Sequence, residues 1–192
     1  FVILIFAFLL KEGISFFKEV SFGKFIGGRY WYPISEPPQF GILPLILGSL
    51  MVTLGAIIVS VPLSIAAAFY ISEVAPLKIK DTLKAGIEML AAIPSVVLGF
   101  IGMVTLVPWI KKAFHLPTGL TALSGSIMLG LMAMPTIISI SEDAINAVPK
   151  SYKEGALALG ATRWQAMYRV IIYAAMPGII AATMLGIGRV IG

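Results

Sequence analysis

The feature of this chain that most constrains its fold is a set of long stretches without a charged residue. Within its 192 residues, such stretches cover 36 residues after Glu36, 22 after Glu88, 29 after Lys112 and 19 after Arg169. A helix needs about 20 mostly apolar residues to cross the hydrocarbon core of a bilayer, so each stretch is long enough for one span. The first ten residues are also uncharged, and they indicate a fifth span. The chain is therefore predicted to be an all-α integral membrane protein.

Composition agrees with this prediction. Charged residues make up 12% of the chain and hydrophobic residues 59%, whereas a soluble domain has roughly 25% charged residues. The apolar runs are continuous, while a β-barrel strand alternates over about ten residues, so helices are favoured. Both ends of the chain fall inside apolar runs, and we expect 1–192 to be a single transmembrane domain that is truncated at both ends. The predicted spans are 1–18, 43–70, 89–109, 120–140 and 168–190.

Metal binding and enzymatic catalysis are disfavoured, because the residues that they need are absent or lie far apart in the sequence. The chain has no cysteine and a single histidine, His115, so we expect neither a metal site nor a thiol nucleophile. The carboxylates lie at predicted span edges rather than as a pair inside the bundle, which makes a membrane enzyme the least favoured class. We therefore expect no catalytic residues and no cofactor. The net charge of +5 indicates contact with membrane lipid rather than nucleic acid.

The fourth linker, 141–165, has the pattern of a structured element rather than a flexible tether. Ser141 is a candidate N-cap for a short helix with acidic residues in its first turn, and Pro149 ends that helix. The residues 151–154 form a capping-box pattern that starts a second short helix. A further capping box at 162–165 opens the last span. We expect a compact pair of helices that docks another protein.

The sequence of this linker resembles a known docking motif. It contains the tripeptide Glu154, Gly155 and Ala156, and Gly160 follows after three residues, where it is expected to end the second helix. This resembles the EAA loop (Glu-Ala-Ala, three residues, Gly) of the permease subunits of ABC importers. Two departures are Gly155 in place of the first alanine and Tyr173 in place of the motif's closing proline. The resemblance implies that these four residues couple the chain to an ATP-binding subunit, whose groove approaches the backbone closely at small residues.

Other segments narrow the resemblance to the phosphate ABC transporter permease family, of the PstC type. They are Trp31-Tyr32-Pro33, 40–46, 72–76, 87–97 and 186–192. The resemblance implies the MetI-like helix bundle of about six spans, five of which are present here. It also implies the partners: a paralogous permease subunit, two ATP-binding subunits and an extracytoplasmic phosphate-binding protein, assembled in the cell inner membrane.

Orientation does not follow from charge alone. The first and third linkers hold six Lys or Arg residues, and the second and fourth hold seven, so the positive-inside rule does not separate them. The resemblance implies that the second linker, at about 71–88, and the fourth both lie in the cytoplasm.

Three residues are candidates for the transport pathway. Arg189 lies in an apolar helix, where an arginine costs roughly 2.5–3.5 kcal/mol on insertion scales. Its guanidinium matches the oxygens of phosphate and stays charged, and the resemblance implies a role in the anion pathway. The alternative is that Arg189 lies near a helix end and reaches the membrane interface. Pro94 and Ser95 mark a helix break that either lines the pathway or is one of the prolines common in membrane helices.

The nearest false match is a P-loop. The spacing of Gly155 and Gly160 is that of a phosphate-binding P-loop, but Ala161 stands where its lysine is required and no buried strand precedes it. ATP is therefore expected to be bound by a partner. The function that these residues indicate is ATP-driven import of inorganic phosphate. The open alternatives are import of another oxyanion, such as sulfate or molybdate, and an ATP-independent channel or secondary transporter.

Overall fold

The protein is almost entirely helical, which confirms the all-α prediction. The computed structural model describes residues 1–191, without the side chains of Glu19 and Leu77. The helices are α1 (Val2–Glu19), α2 (Phe22–Gly27), α3 (Leu43–Val74), α4 (Leu77–Ala92), α5 (Ser95–Ala113), α6 (Ala122–Asn146), α7 (Lys150–Ala158) and α8 (Arg163–Ile191). A small antiparallel hairpin joins β1 (Trp31–Tyr32) to β2 (Gln39–Phe40). Single π-helical turns occur at Tyr70–Val74 in α3, Gly102–Leu106 in α5 and Met167–Ile171 in α8.

Four helices in the described part of the chain are long and apolar enough to cross a membrane, namely α3, α5, α6 and α8. The chain is therefore a multi-pass membrane protein. The span predicted from residue 89 begins only at Ser95, because α4 continues to Ala92 before Pro94 interrupts the helix. The predicted first span is helical as α1, but its charged residues leave it outside this group of four. A membrane span at 1–18 stays a prediction, and so does a single domain over 1–192.

Contacts divide the chain into two compact units, Phe1–Met51 and a larger one that begins at Val52. In the smaller unit, the Phe16 ring packs edge-to-face against Phe25 and Phe40, with centroids 5.6 and 5.2 Å apart. The backbones of Gly28 and Gly41 lie so close that a Cβ atom on Gly28 would be 2.6 Å from the Gly41 Cα atom. Aromatic side chains beside a hairpin of this kind are typical of the membrane–water interface.

The larger unit is organised around α6. Over its most apolar stretch 39% of α6 is buried, against 11% of α5. The main cluster of buried side chains joins α3, α6 and α8, and it comprises Ala68, Ile71, Ile138, Ile145, Met167, Ile171, Ala175 and Ile179. A second cluster of Ala56, Ala133, Ile137 and Val190 continues the same packing along these helices.

Small residues allow α6 and α8 to pack closely. A Cβ atom on Gly178 would overlap the Ala144 side chain, and one on Gly186 would overlap Ile137. The first contact lies near the end of α6 and the second nearer its middle, so the two helices run antiparallel. In a bilayer the hydrophobic effect does not drive helices together, and close packing of small residues becomes a main source of association.

We expect Gly186→Val to destabilise the larger unit. The new side chain has to displace Ile137, and overpacking of this kind costs about 1–3 kcal/mol. The measurement is thermal unfolding of the purified full-length protein in detergent. The matched control is Gly99→Ala in α5, where a Cβ atom meets nothing within 4 Å. A Gly186→Val protein that melts at the wild-type temperature would contradict this packing.

Candidate functional site

The fourth linker contains one helix of its own, α7, and not the predicted pair. Ser141 does not cap a helix: it lies fully buried inside α6, which continues to Asn146. The reason is that Ile138, Ser141 and Ile145 continue the buried face of α6 at helical spacing. The N-cap of α7 is Pro149 rather than a residue of the predicted capping box.

The turn between α7 and α8 agrees with the sequence prediction. Gly160 has a φ of 85°, the left-handed conformation that glycine adopts without strain at a helix end. The Ala161 N–H then donates to the Ala156 carbonyl at 3.1 Å. Thr162 and Gln165 form the capping box, since the Gln165 N–H donates to Thr162 Oγ1 at 3.2 Å and the Thr162 N–H donates to Gln165 Oε1 at 2.9 Å. This box fixes the direction in which α8 leaves the turn.

The four predicted coupling residues lie on one short, exposed segment. None of the side chains of α7 is buried, and Glu154 and Gly155 are exposed while Ala156 is half-buried. A Cβ atom on Gly155 or Gly160 would meet nothing within 4 Å, so the backbone is open to a partner. Beside it is a groove of about 620 Å³, lined by Tyr152, Gly155, Ala156, Leu159, Arg169 and Val170 among others.

The apolar side chains around this groove are unusually open. Of the residues that line it, Leu159 is 91% exposed and Tyr152 is 53% exposed. Scattered exposed apolar residues are common on proteins, but a contiguous group beside a groove is typical of a protein-interaction surface. We call the residues 150–165 the docking surface. Its exposed apolar side chains and open glycines are accessible to another protein.

An ion pair connects the docking surface to the end of α3. Lys153 of α7 forms an ion pair with Glu73, whose side chain is only 13% exposed. The neighbouring Ser72 hydroxyl donates to the side-chain carbonyl of Asn146 at 2.7 Å. The ends of α3 and α6 and the start of α7 are therefore held together, so the second and fourth linkers lie at the same end of the bundle.

A buried carboxylate connects α4 to α6. Glu142 is 2% exposed, and its carboxylate lies 2.8 Å from Lys84 Nζ and 3.4 Å from Lys80 Nζ. The Asn146 amide also donates to Glu142, at 2.6 Å, and Lys84 contacts Asp143 at 3.2 Å. An unpaired buried carboxylate costs several kcal/mol, so these partners are what permit it. We call these five residues the Glu142 cluster.

The Glu142 cluster is insensitive to physiological pH. The hydrogen bond to Glu142 raises the pKa of Lys84 above its ordinary value, although desolvation acts in the opposite direction. A raised lysine pKa means that the contribution of the ammonium to stability is fully present below the ordinary lysine pKa. That contribution is lost only as the pH rises through the raised value. The Lys84 ammonium therefore keeps its charge in this cluster at physiological pH.

Within residues 1–191, the hydrogen bonds of Arg189 go to neutral groups. Its Nη1 atom donates to Thr136 Oγ1 at 2.7 Å, and its Nη2 atom donates to the Ala91 carbonyl at 3.4 Å. Among the described side chains, no carboxylate lies within 4 Å of its guanidinium. The side chain is half-buried, so its charge is partly desolvated and available to an anion.

The position of Arg189 along the bundle follows from its contact with α6. Thr136 is fourteen residues from the start of α6 at Ala122 and ten from its end at Asn146. At about 1.5 Å per residue, the guanidinium contacts α6 about 20 Å from one end and about 15 Å from the other. It therefore lies beside the middle part of α6 and not at either end of that helix.

The helix break at Pro94 comes close to the same point. Ala91, which accepts from Arg189, lies in the last turn of α4, three residues before Pro94. Both Pro94 and Ser95 are exposed, and α5 begins at Ser95 without a side-chain cap. The structure thus brings Arg189 to the last turn of α4, directly before the predicted break at Pro94 and Ser95. The hydrogen bonds of Arg189 do not include Ser95.

Sequence reasoning missed the Glu142 cluster. The acidic residues were interpreted as residues at span edges and as the first turn of a helix after Ser141, and the lysines of the second linker were only counted for orientation. The available signal was spacing: Lys80 and Lys84 are four residues apart, and so are Glu142 and Asn146. Each pair therefore lies on one face of its helix, where the two lysines can meet a carboxylate and an amide of the partner helix.

Comparison with known proteins identifies relatives of the whole chain. A family model described as "Binding-protein-dependent transport system inner membrane component" matches residues 60–192. The chain is 43% identical over 187 residues to the Bacillus subtilis (strain 168) "Probable ABC transporter permease protein YqgH", covering 96% of this chain and 60% of that protein.

Two further relatives have a named substrate. The Haemophilus influenzae "Phosphate transport system permease protein PstC" is 33% identical over 189 residues, covering 88% of this chain and 59% of the relative. The protein of the same name from Mesorhizobium japonicum is 31% identical over 192 residues, covering 90% and 58%. The chain thus spans about three-fifths of the length of these relatives.

We expect Thr162→Ala to loosen the start of α8. Loss of an N-cap side chain costs about 1 kcal/mol, which corresponds to about fivefold faster opening. The measurement is amide hydrogen exchange of the segment containing Gln165. The control is Thr82→Ala, because the Thr82 hydroxyl donates only to the Lys78 carbonyl of its own helix, at 3.1 Å. Equal exchange rates in Thr162→Ala and wild type would show that the capping box does not hold this turn.

Proposed function

The chain belongs to the family of binding-protein-dependent transport system inner membrane components, and we propose that it is a permease subunit of an ATP-driven importer of inorganic phosphate. The observation that carries this proposal is the position of Arg189, a half-buried cation on the apolar helix α8 without a carboxylate partner among the described side chains. The proposed subunit forms half of the translocation pathway and does not itself hydrolyse ATP.

The chemistry of Arg189 suits a phosphate oxyanion. A guanidinium remains charged at every physiological pH and offers paired N–H donors that match two oxygens of one phosphate. Such a charge is costly inside a bilayer, and arginines in spans usually mark an ion pathway. The contact with Thr136 favours this role over the alternative in which Arg189 only reaches the interface, because it holds the guanidinium against the neighbouring helix. Phosphate is favoured among oxyanions because two relatives carry phosphate in their names.

The break at Pro94 and Ser95 supplies a second part of the proposed pathway. Transporters place interrupted helices at their substrate sites, since the ends of such helices expose backbone groups and dipoles. The exposed Ser95 at the start of α5 is one such end. Because this side of the chain is open, we propose that a paralogous permease subunit completes the pathway.

The docking surface is the proposed contact with the ATP-binding subunits. Glu154, Gly155, Ala156 and Gly160 lie together on it with no side chain covering the glycines. In the proposed complex, two ATP-binding subunits dock at the cytoplasmic face of the inner membrane. An extracytoplasmic phosphate-binding protein delivers phosphate at the opposite face, and ATP binding and hydrolysis move the docked helices.

We expect Gly160→Glu to abolish phosphate uptake by the full-length subunit reconstituted with its partners in proteoliposomes. A left-handed residue other than glycine costs about 1–2 kcal/mol, and the glutamate places a charge on the docking surface. Uptake of radiolabelled phosphate and its dependence on ATP are measured together. The matched control is Gly160→Asn, because asparagine adopts this conformation more readily, and it should retain most of the uptake.

The same assay separates the alternatives. Excess unlabelled sulfate or molybdate should leave phosphate uptake unchanged, and competition by either would indicate another oxyanion as the substrate. Uptake that needs no ATP, or that survives Gly160→Glu unchanged, would contradict the ABC mechanism. It would favour a channel or a secondary transporter.

We expect Arg189→Lys to reduce the rate of phosphate uptake by about tenfold or more, although the charge is kept, because lysine lacks the paired donors of the guanidinium. If Arg189 only anchored the helix end at the interface, lysine would replace it without loss. The rate of uptake at saturating phosphate decides between the two roles. As a control for assembly, the Arg189→Lys complex extracted in detergent should contain the same subunits as the wild-type complex.

A further inference from the structure

The helix α4 contacts both of the proposed functional regions. Its lysines bind the end of α6, beside the docking surface, and its last turn accepts a hydrogen bond from Arg189. We propose that α4 mechanically links the docking surface to Arg189, with Glu142 as the positioning residue that holds it to α6. This inference rests on the proposed function and adds to it the route by which movement reaches the anion site.

The first part of this route runs from α7 to α6. The ion pair between Lys153 and Glu73 fastens the docking surface to the end of α3. From there the Ser72 hydroxyl reaches Asn146 at 2.7 Å, and the Asn146 amide reaches Glu142 at 2.6 Å. These steps are direct side-chain hydrogen bonds or ion pairs, joined by the peptide bond between Ser72 and Glu73. A displacement of α7 is therefore transmitted to the Glu142 cluster without relying on apolar contacts that can slide.

The second part is the connection between α6 and α4, which stays closed. The Glu142 carboxylate is almost fully buried and is paired with Lys84 at 2.8 Å and Lys80 at 3.4 Å. Separating these helices would break the ion pairs of a carboxylate that is almost fully buried, and breaking such a pair is unfavourable. The part of α4 that contains Lys80 and Lys84 is therefore expected to move with the end of α6.

The third part is the far end of α4, which is held weakly. The Arg189 Nη2 atom lies 3.4 Å from the Ala91 carbonyl, near the limit of a hydrogen bond. The break at Ile93 and Pro94 leaves the last turn of α4 uncoupled from the helix of α5. If α4 pivots about the turn that contains Lys80 and Lys84, the contact between Arg189 and the Ala91 carbonyl is the first to change.

The consequence concerns what Arg189 can bind. When the Ala91 carbonyl moves away, Nη2 loses a neutral acceptor and becomes free for a phosphate oxygen, while Nη1 keeps Thr136 at 2.7 Å. A charged oxygen is a stronger acceptor than a carbonyl. Coupling is reciprocal. Phosphate bound at Arg189 therefore also favours the position of α4 in which the Ala91 carbonyl has moved away from Nη2. Arg189 would thereby communicate with the docking surface.

The test uses the reconstituted full-length complex. Wild type, Lys84→Met and Glu142→Gln are compared for ATP hydrolysis and for phosphate uptake in the same proteoliposomes. We expect both variants to hydrolyse ATP while the phosphate transported per ATP falls by about tenfold. The matched control is Lys78→Met, which removes the same charge from α4. Within the described residues, the Lys78 ammonium takes part in neither a hydrogen bond nor an ion pair.

The outcomes separate this inference from the function on which it rests. Wild-type proteoliposomes without ATP-dependent phosphate uptake would overturn the proposed function. Normal wild-type uptake with an unchanged ratio of phosphate to ATP in both cluster variants would overturn only the link through α4. A ratio that falls equally in Lys78→Met would also overturn it, since loss of charge alone would then be the cause.

A second measurement decides the question if the variants do not assemble. Residues 1–192 contain no cysteine, so spin-label pairs can be introduced without removing a native thiol from this region. One pair joins Leu83 of α4 to Ala147 at the end of α6, and the other joins Met89 of α4 to Leu185 of α8. Between the nucleotide-free and ATP-bound complex, we expect the first distance to stay constant and the second to change. A first distance that changes, or a second that does not, would overturn the inference.

Discussion

The close packing of α6 against α8 fixes the position of the charge on which the proposed pathway depends. Gly178 and Gly186 set the register of the two helices, because a larger residue at either position would collide with α6. In this register Arg189 meets Thr136, ten residues before the end of α6. A shift of one helical turn would move the guanidinium by about 5.4 Å along the axis of α6. Small apolar residues therefore determine where a polar one acts.

Charged side chains of the larger unit make their described hydrogen bonds and ion pairs at two levels of the bundle. The Glu142 cluster and the pair of Lys153 with Glu73 lie at the end where α6 and α7 meet. The second level is the guanidinium of Arg189, beside Thr136 in the middle part of α6. The helix α6 contacts both levels, and α4 also contacts both through its lysines and the Ala91 carbonyl.

Features that depend on neighbouring residues in the chain could be predicted from the sequence. The helix stop at Gly160 and the capping box of Thr162 and Gln165 were predicted correctly, because a few adjacent residues decide each of them. Four of the five predicted spans correspond to helices that are long and apolar enough to cross a membrane, because charge-free length is a local property. The predicted cap at Ser141 was wrong because tertiary packing, and not the local preference of serine, decides whether α6 continues there.

Contacts between distant residues could not be predicted in this way. Glu142 and Lys84 are separated by 58 residues, and their charge pattern on each helix fits a solvated surface equally well. The depth of Arg189 likewise depends on the register of α8 against α6, which one helix sequence does not contain. The chemical character of Arg189 was evident from its type, but its position required the packed structure.

The exposure of Leu159 has a consequence for the chain before it meets a partner. A leucine that is 91% exposed beside an open groove gives the isolated subunit an unfavourable contact with water, which a docked protein would remove. Anything that binds only the folded chain stabilises it by an amount that grows with its own concentration. The stability of this subunit is therefore not a property of its sequence alone. In the proposed complex, it depends on how much of the ATP-binding subunit is present.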